Sequence, residues 1–112
     1  MQAPIKMYIS GKITGIEAEA EALFAEAEKF LLKKNFEPLN PMKLPHNHDK
    51  SWKSYMKECI IALCKCDGIY MLKNWQDSQG AILEHTIAKG LNMPIMYQDS
   101  YQPRPFEPVF GC

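Results

Sequence analysis

Asp67-Gly68-Ile69-Tyr70-Met71-Leu72-Lys73-Asn74-Trp75-Gln76-Asp77-Ser78-Gln79-Gly80-Ala81-Ile82-Leu83-Glu84 carries a strand, a turn and a helix start in one run. Its opening, Asp67 to Leu72, is too apolar for one side to face water, which predicts a strand covered on both faces. Lys73 to Asp77 is polar and turn-forming, and Asp77 or Ser78 supplies an oxygen able to cap a helix that runs to about Lys89 and stops at Gly90. Within that helix Gly80 and Glu84 are one turn apart and share a face. Gly80 would let a ligand approach the backbone closely, and Glu84 would project into the opened space, an arrangement suited to a carboxylate that attacks something. The same residues would equally serve as a loose first turn followed by a solvated acid, so the rest of the chain has to decide.

Working outward, the strand-then-helix rhythm repeats. Lys6 to Ser10 has strand character and ends at Gly11, with a turn-forming stretch to Gly15. Ile16 to Lys34 places Ala18, Leu23, Phe24, Ala27, Phe30 and Leu31 on one helical face, with acids early and Lys33-Lys34 late, as the helix dipole favours. Phe36 to Leu39 is a second strand, cut off by Asn40-Pro41, and Pro41 to Lys50 is loop. Ser51 is placed to cap a helix through Lys65, with Trp52, Tyr55, Met56, Ile60, Leu63 and Cys64 on its apolar side. Met93 to Tyr97 is a fourth strand, and the proline-rich end from Tyr101 to Cys112 is expected to be irregular.

Strands alternating with helices of ten residues or more imply crossover connections and a parallel sheet. The expected class is α/β, a doubly wound, flavodoxin-like parallel sheet of four to five strands with helices on both faces, in a single domain spanning residues 1–112. Ligands of such sheets bind beyond the carboxyl ends of the strands, where Ser10 to Gly15, Asn40, Lys73 to Ser78 and the start of the last helix should meet.

With 112 residues, 46% of them hydrophobic and 23% charged, the chain has the balance of an ordinary globular domain. Thirteen basic and thirteen acidic residues cancel, so no net field draws it onto nucleic acid or an anionic membrane, and a small-molecule partner is expected. The N-terminus has no long apolar segment, which fits a cytoplasmic protein without a membrane span. Aromatic and Met residues outside the expected strands point to a homo-oligomer, a dimer or higher. Cys59, Cys64, Cys66 and Cys112 lack paired C-x-x-C spacing and are expected to be small packing residues in a reducing compartment, not zinc ligands or disulfides. His46 and His48, with Asp49, form a weak metal signal and are expected to be solvated loop residues; no metal and no cofactor is expected. His85 should point off the Glu84 face, toward the surface or an interface.

Four segments in order, MYISGKITG at Met7 to Gly15, NP at Asn40-Pro41, CDGIYML at Cys66 to Leu72 and SQGAILE at Ser78 to Glu84, together resemble the nucleoside 2-deoxyribosyltransferase superfamily. The likeness runs from about Lys6 to Tyr97 and is strongest to a small branch with the pattern W-x-x-S-x-G-A-x-x-E, related to deoxynucleoside 5′-monophosphate N-glycosidases. It implies a nucleoside or nucleotide substrate and Glu84 as the nucleophile that attacks the anomeric carbon of a deoxyribosyl group, with Tyr8 positioning the carboxylate. It also places Ser10, Gly11, Lys12, Asn40, Asp77, Ser78 and Gly80 around the substrate. Ser78 stands where the transferases have an Asp for the sugar's terminal hydroxyl and the monophosphate hydrolases a Ser, so a 5′-phosphate is the expected ligand group, with Lys12 and the Gly11–Gly15 loop assisting. Asp77 next door is an alternative partner for the hydroxyl. Cys59 occupies the position of the Asp that protonates the departing base; Glu58 is adjacent but about 100° around the helix. Trp52 is expected to pack its helix, and Trp75 either to pack or to stack on a base. The implied activity is N-glycosidic bond cleavage or deoxyribosyl transfer; the alternative is a nucleotide-binding module with little chemistry.

Overall fold

The computed structural model describes residues 4–46 and 51–99, so the expectations for His48, Asp49, Cys112 and the tail from Tyr101 lie outside the described residues. The elements follow the order β1 (Lys6–Ser10), α1 (Glu17–Lys33), β2 (Glu37–Leu39), a 3-10 turn (Pro41–Lys43), α2 (Trp52–Cys64), β3 (Gly68–Met71), a second 3-10 turn (Trp75–Asp77), α3 (Gln79–Gly90) and β4 (Ile95–Tyr97). The four strands form one parallel sheet in the order β2-β1-β3-β4, which is the doubly wound arrangement expected. From β1 the chain first moves outward to β2, then returns past β1 to β3 and continues to β4. The reversal opens a crevice beyond the carboxyl ends of β1 and β3.

Strand alternation divides the core in two. Met7 and Ile9 of β1, with Tyr70 and Leu72, pack on Ala20, Phe24, Ala27 and Leu31 of α1. Tyr8, Ile69 and Met71 face the other way, onto Cys59, Ala62 and Leu63 of α2 and Ala81 and Ala88 of α3. Ser10 shares the side of Tyr8, two residues on, and both therefore face the layer that carries α3.

Two helical stripes differ from expectation. In α1 the buried line is Ala20, Phe24, Ala27 and Leu31, while Ala18 and Phe30 are exposed. In α2 it is Met56, Cys59, Ala62 and Leu63, while Trp52 and Cys64 are exposed. The buried lines alternate small residues (Ala20, Ala27, Cys59, Ala62) with large ones (Phe24, Leu31, Met56, Leu63), which lets each helix lie close on the sheet. Helix α3 ends at Gly90, as expected, and the chain turns at Asn92, whose φ of 57° mirrors that of Asn35 (68°) just beyond α1. Asparagine tolerates this left-handed backbone, which closes both helices.

Ser51 and Ser78 cap α2 and α3, their Oγ atoms each accepting an N–H at 3.1 Å, from Ser54 and Ala81. Asp67 plays a structural role, its Oδ2 accepting the Lys6 N–H at 2.9 Å at the open end of β1. No helix among the described residues is long and apolar enough to cross a membrane.

Candidate active site

A cavity of about 330 Å³ lies over the crevice where the sheet order reverses, within the ~300–1,000 Å³ usual for small-molecule sites. One wall is the loop after β1 (Gly11, Lys12, Ile13, Thr14), and the opposite wall is α2 (Trp52, Tyr55, Met56, Cys59). Asp77, Ser78, Gln79 and Gly80 bring in the start of α3, and Glu84 and Tyr8 reach the interior. The two switch-point loops are tied together, because the Lys12 N–H donates to Asn74 Oδ1 at 3.1 Å. Gly11 is required by that closeness: a Cβ there would stand 2.6 Å from Leu72 Cδ1 and 2.9 Å from its Cβ.

Glu84 is 5% exposed, so it is no solvated helix residue. Each carboxylate oxygen accepts one hydroxyl: Tyr8 Oη donates to Oε2 and Ser10 Oγ to Oε1, both at 2.7 Å. Burial pushes the Glu84 pKa up to about 7, with the two hydroxyl donors opposing that rise. Tyr8 is pushed well above its ordinary value, first by burial and then by the adjacent Glu84 charge, so it stays a donor. Cys59 is buried and lines the cavity, and burial raises its thiol to about 11. A thiol that weakly acidic is neutral near pH 7 and a poor proton donor.

Of the residues assigned from sequence, Glu84, Tyr8, Gly11, Lys12, Asp77, Ser78, Gly80 and Cys59 are brought to the cavity. Three are not. Ser10 is 1% exposed and lies beneath the cavity on Glu84 rather than along its wall. Asn40 is also outside the lining; its side chain caps the 3-10 turn by accepting the Met42 N–H at 2.9 Å. Glu58 turns away to His46, whose Nδ1 lies 2.7 Å from Glu58 Oε2 and whose Nε2 lies 2.9 Å from the Pro41 carbonyl oxygen. His46 is thus a half-buried clasp between loop and helix, its ring tilted on Tyr55 at 4.5 Å, and not a solvated loop residue. Gly80 is packed as well as open to the cavity, since a Cβ would meet Met56 Sδ at 2.9 Å.

Trp75, open between two roles in the sequence, is a packing residue, and the assignments of His85 and Trp52 change. Trp75 is buried and stacks on His85 at 4.2 Å, away from the cavity, so it does not face a base. His85 is not at the surface: it is 9% exposed and paired with the Tyr97 hydroxyl at 2.7 Å, and burial lowers its pKa. Trp52 is the reverse case, 49% exposed at the cavity wall instead of packing its helix. Sequence reasoning missed Tyr55 and Met56 as cavity residues. With Trp52 and Cys59 they form an i, i+3, i+4, i+7 stripe that lines the cavity, a signal present in the spacing. Among the described residues no cluster of His, Cys, Asp or Glu is arranged to hold a metal.

The fold is similar to that of two solved 2-deoxyribosyltransferases. A solved 2-deoxyribosyltransferase from Bacillus psychrosaccharolyticus superposes with a TM-score of 0.62 at 19% identity, over 82% of this chain and 70% of that one. The 2-desoxiribosyltransferase from Leishmania mexicana gives 0.64 at 19% identity, over 84% of this chain and 63% of its own. The model of a domain family of unknown function, DUF4406, matches residues 5–97, and the chain belongs to that family. Comparison with curated protein sequences gave no match.

Proposed function

We propose that the protein cleaves or transfers the N-glycosidic bond of a 2′-deoxynucleoside 5′-monophosphate by double displacement at Glu84. The observation that carries this reading is a buried carboxylate, held through both oxygens, inside a cavity at the sheet's switch point. The 2-deoxyribosyltransferase architecture supports the same chemistry. A Glu84 oxygen attacks the anomeric carbon as the C–N bond breaks, the electron pair leaves with the base, and the developing oxocarbenium charge is stabilised by the carboxylate beneath it. Water or a second base then releases the sugar from the ester.

The 5′-phosphate is assigned to the start of α3. Ser78 Oγ accepts the Ala81 N–H, and a hydroxyl that accepts one bond still has its own proton to donate. The N–H groups of the first helical turn have no carbonyl partners within the helix and favour an anion, with Lys12 across the cavity adding charge. Trp52 and Tyr55 supply flat faces for the base on the α2 wall. A nucleotide-binding module with little turnover is the second reading, favoured by Cys59, which offers no useful acid on that wall. Self-association is supported by Ile61, Ile82 and Leu83, exposed on α2 and α3, and by Trp52; the expected result in sedimentation is a species larger than 12.9 kDa.

Free-base release from a panel of deoxynucleotides, measured chromatographically, tests the reading; no release from any of them favours the binding module. Cys59→Asp separates the two more sharply. Burial and the neighbouring Glu84 should keep the new carboxyl protonated near neutral pH, so purine release is expected to rise about 10²-fold. Melting temperature should fall, because a polar group enters a closed space. A less stable protein with no gain in rate would show that Cys59 is not on the leaving-group side.

A further inference from the structure

Tyr8 and Ser10 stand two residues apart on one face of β1, and each places a hydroxyl 2.7 Å from a different oxygen of Glu84. Tyr8 also lines the cavity, but Ser10 does not, so the Ser10 hydroxyl reaches the carboxylate without reaching the ligand space. One donor fixes a single oxygen and leaves the carboxylate free to swing about its last torsion; two donors on opposite oxygens fix its plane as well. Each oxygen then still holds a free lone pair.

We propose that Ser10 is a positioning residue, whose hydroxyl sets both the plane of the Glu84 carboxylate and the pH at which it becomes charged. The role in turnover rests on Glu84 being the nucleophile; the effect on the carboxylate does not. A buried carboxyl that loses a donor to its charged form holds its proton to higher pH. Burial already raises Glu84, and the Ser10 bond acts against that rise. The other titratable groups near Glu84 are Tyr8 on β1, Tyr55 and Cys59 on α2, and Lys12 and Asp77 on the cavity wall. Tyr8, Tyr55 and Cys59 are all raised by burial and remain neutral between pH 5 and about 9. His85, the neighbour in sequence, is turned toward Trp75 and Tyr97. Of the groups on β1 and α2 that face it, none changes charge near neutrality, and a label on the carboxyl carbon reads Glu84 directly.

The test uses the whole chain with Glu carboxyl carbons labelled with ¹³C, and Glu84→Gln to assign the resonance. Ser10→Ala deletes a single oxygen from a closed space, so the fold is kept, which melting temperature checks. Its Glu84 midpoint should lie above that of the wild type, and Ser10→Thr, which restores the hydroxyl, should bring it back. The pH profile of base release should shift to higher pH in parallel, with kcat at neutral pH lower by about 10-fold and KM within about 2-fold. An unchanged midpoint in folded Ser10→Ala overturns the proposal. A shifted midpoint in a protein that releases no base keeps the effect on Glu84 and overturns its part in turnover, leaving the function reading at fault.

Discussion

Glu84→Gln is expected to fold, to keep most of its nucleotide affinity and to lose base release by at least about 10³-fold, because an amide cannot form the glycosyl ester. The same substitution should stabilise the protein at neutral and alkaline pH. The folded-state pKa of Glu84 is raised to about 7 from an ordinary 4.5, so the folded protein holds this proton more tightly than the unfolded chain. Stability contributed by that proton is complete below about 4.5, declines as pH rises through about 7, and is absent above it. Glutamine stays neutral throughout, so its advantage should grow over the same window and level off on the order of 3 kcal/mol. Thermal melts of both proteins from pH 5 to pH 9 check this: converging melting temperatures at low pH and separated ones at high pH are the expected pattern. Base release by the wild type should follow the opposite course, rising with pH through about 7 as the carboxylate forms. On the proposed function, the nucleophile would thus be the group that costs stability where it is active.

Ser78→Asp should produce the second large effect. Asp caps helices as well as Ser does, so α3 keeps its first turn and the variant isolates a change of charge. A 5′-monophosphate brought against that carboxylate should lose on the order of 2–3 kcal/mol of binding, while the nucleoside, with a hydroxyl to donate, should gain or hold its affinity. Calorimetry with a deoxynucleotide and its nucleoside should show the phosphate preferred by the wild type and the order reversed in the variant. Equal affinities in both proteins would remove the phosphate from this end of the cavity.

The parts of this molecule that were legible in its sequence depend on neighbours close in the chain. Lys6 to Ser10 ends at Gly11, and Ser51 and Ser78 cap the helices they precede. The parallel sheet followed from the alternation of strands with long helices. Side-chain pairs that form only on folding were not legible. Trp75 and His85 are enclosed by Tyr97 from β4, and Glu58 is drawn away from the cavity by His46 twelve residues earlier. Ser10 could be placed near the site but not under it, because strand alternation gives a side chain's face and not how far it reaches. The α2 wall was missed for a related reason. Trp52 and Tyr55 lie on the apolar side of the helix, yet at its first turn, where the apolar stripe is a cavity wall as well as core.

The central claim is that Glu84 carries the sugar between the two halves of the reaction, and intact-protein mass spectrometry tests it most directly. A 2′-fluorinated arabinosyl nucleotide destabilises the oxocarbenium-like transition states of both steps, so an ester that forms is slow to break. The protein should release one equivalent of base and gain the mass of the fluorinated 5-phosphosugar. Peptide mapping should place that mass on Glu84, and Glu84→Gln should show neither the mass nor the base. Base release with no adduct, or an adduct on any other residue, would contradict the account.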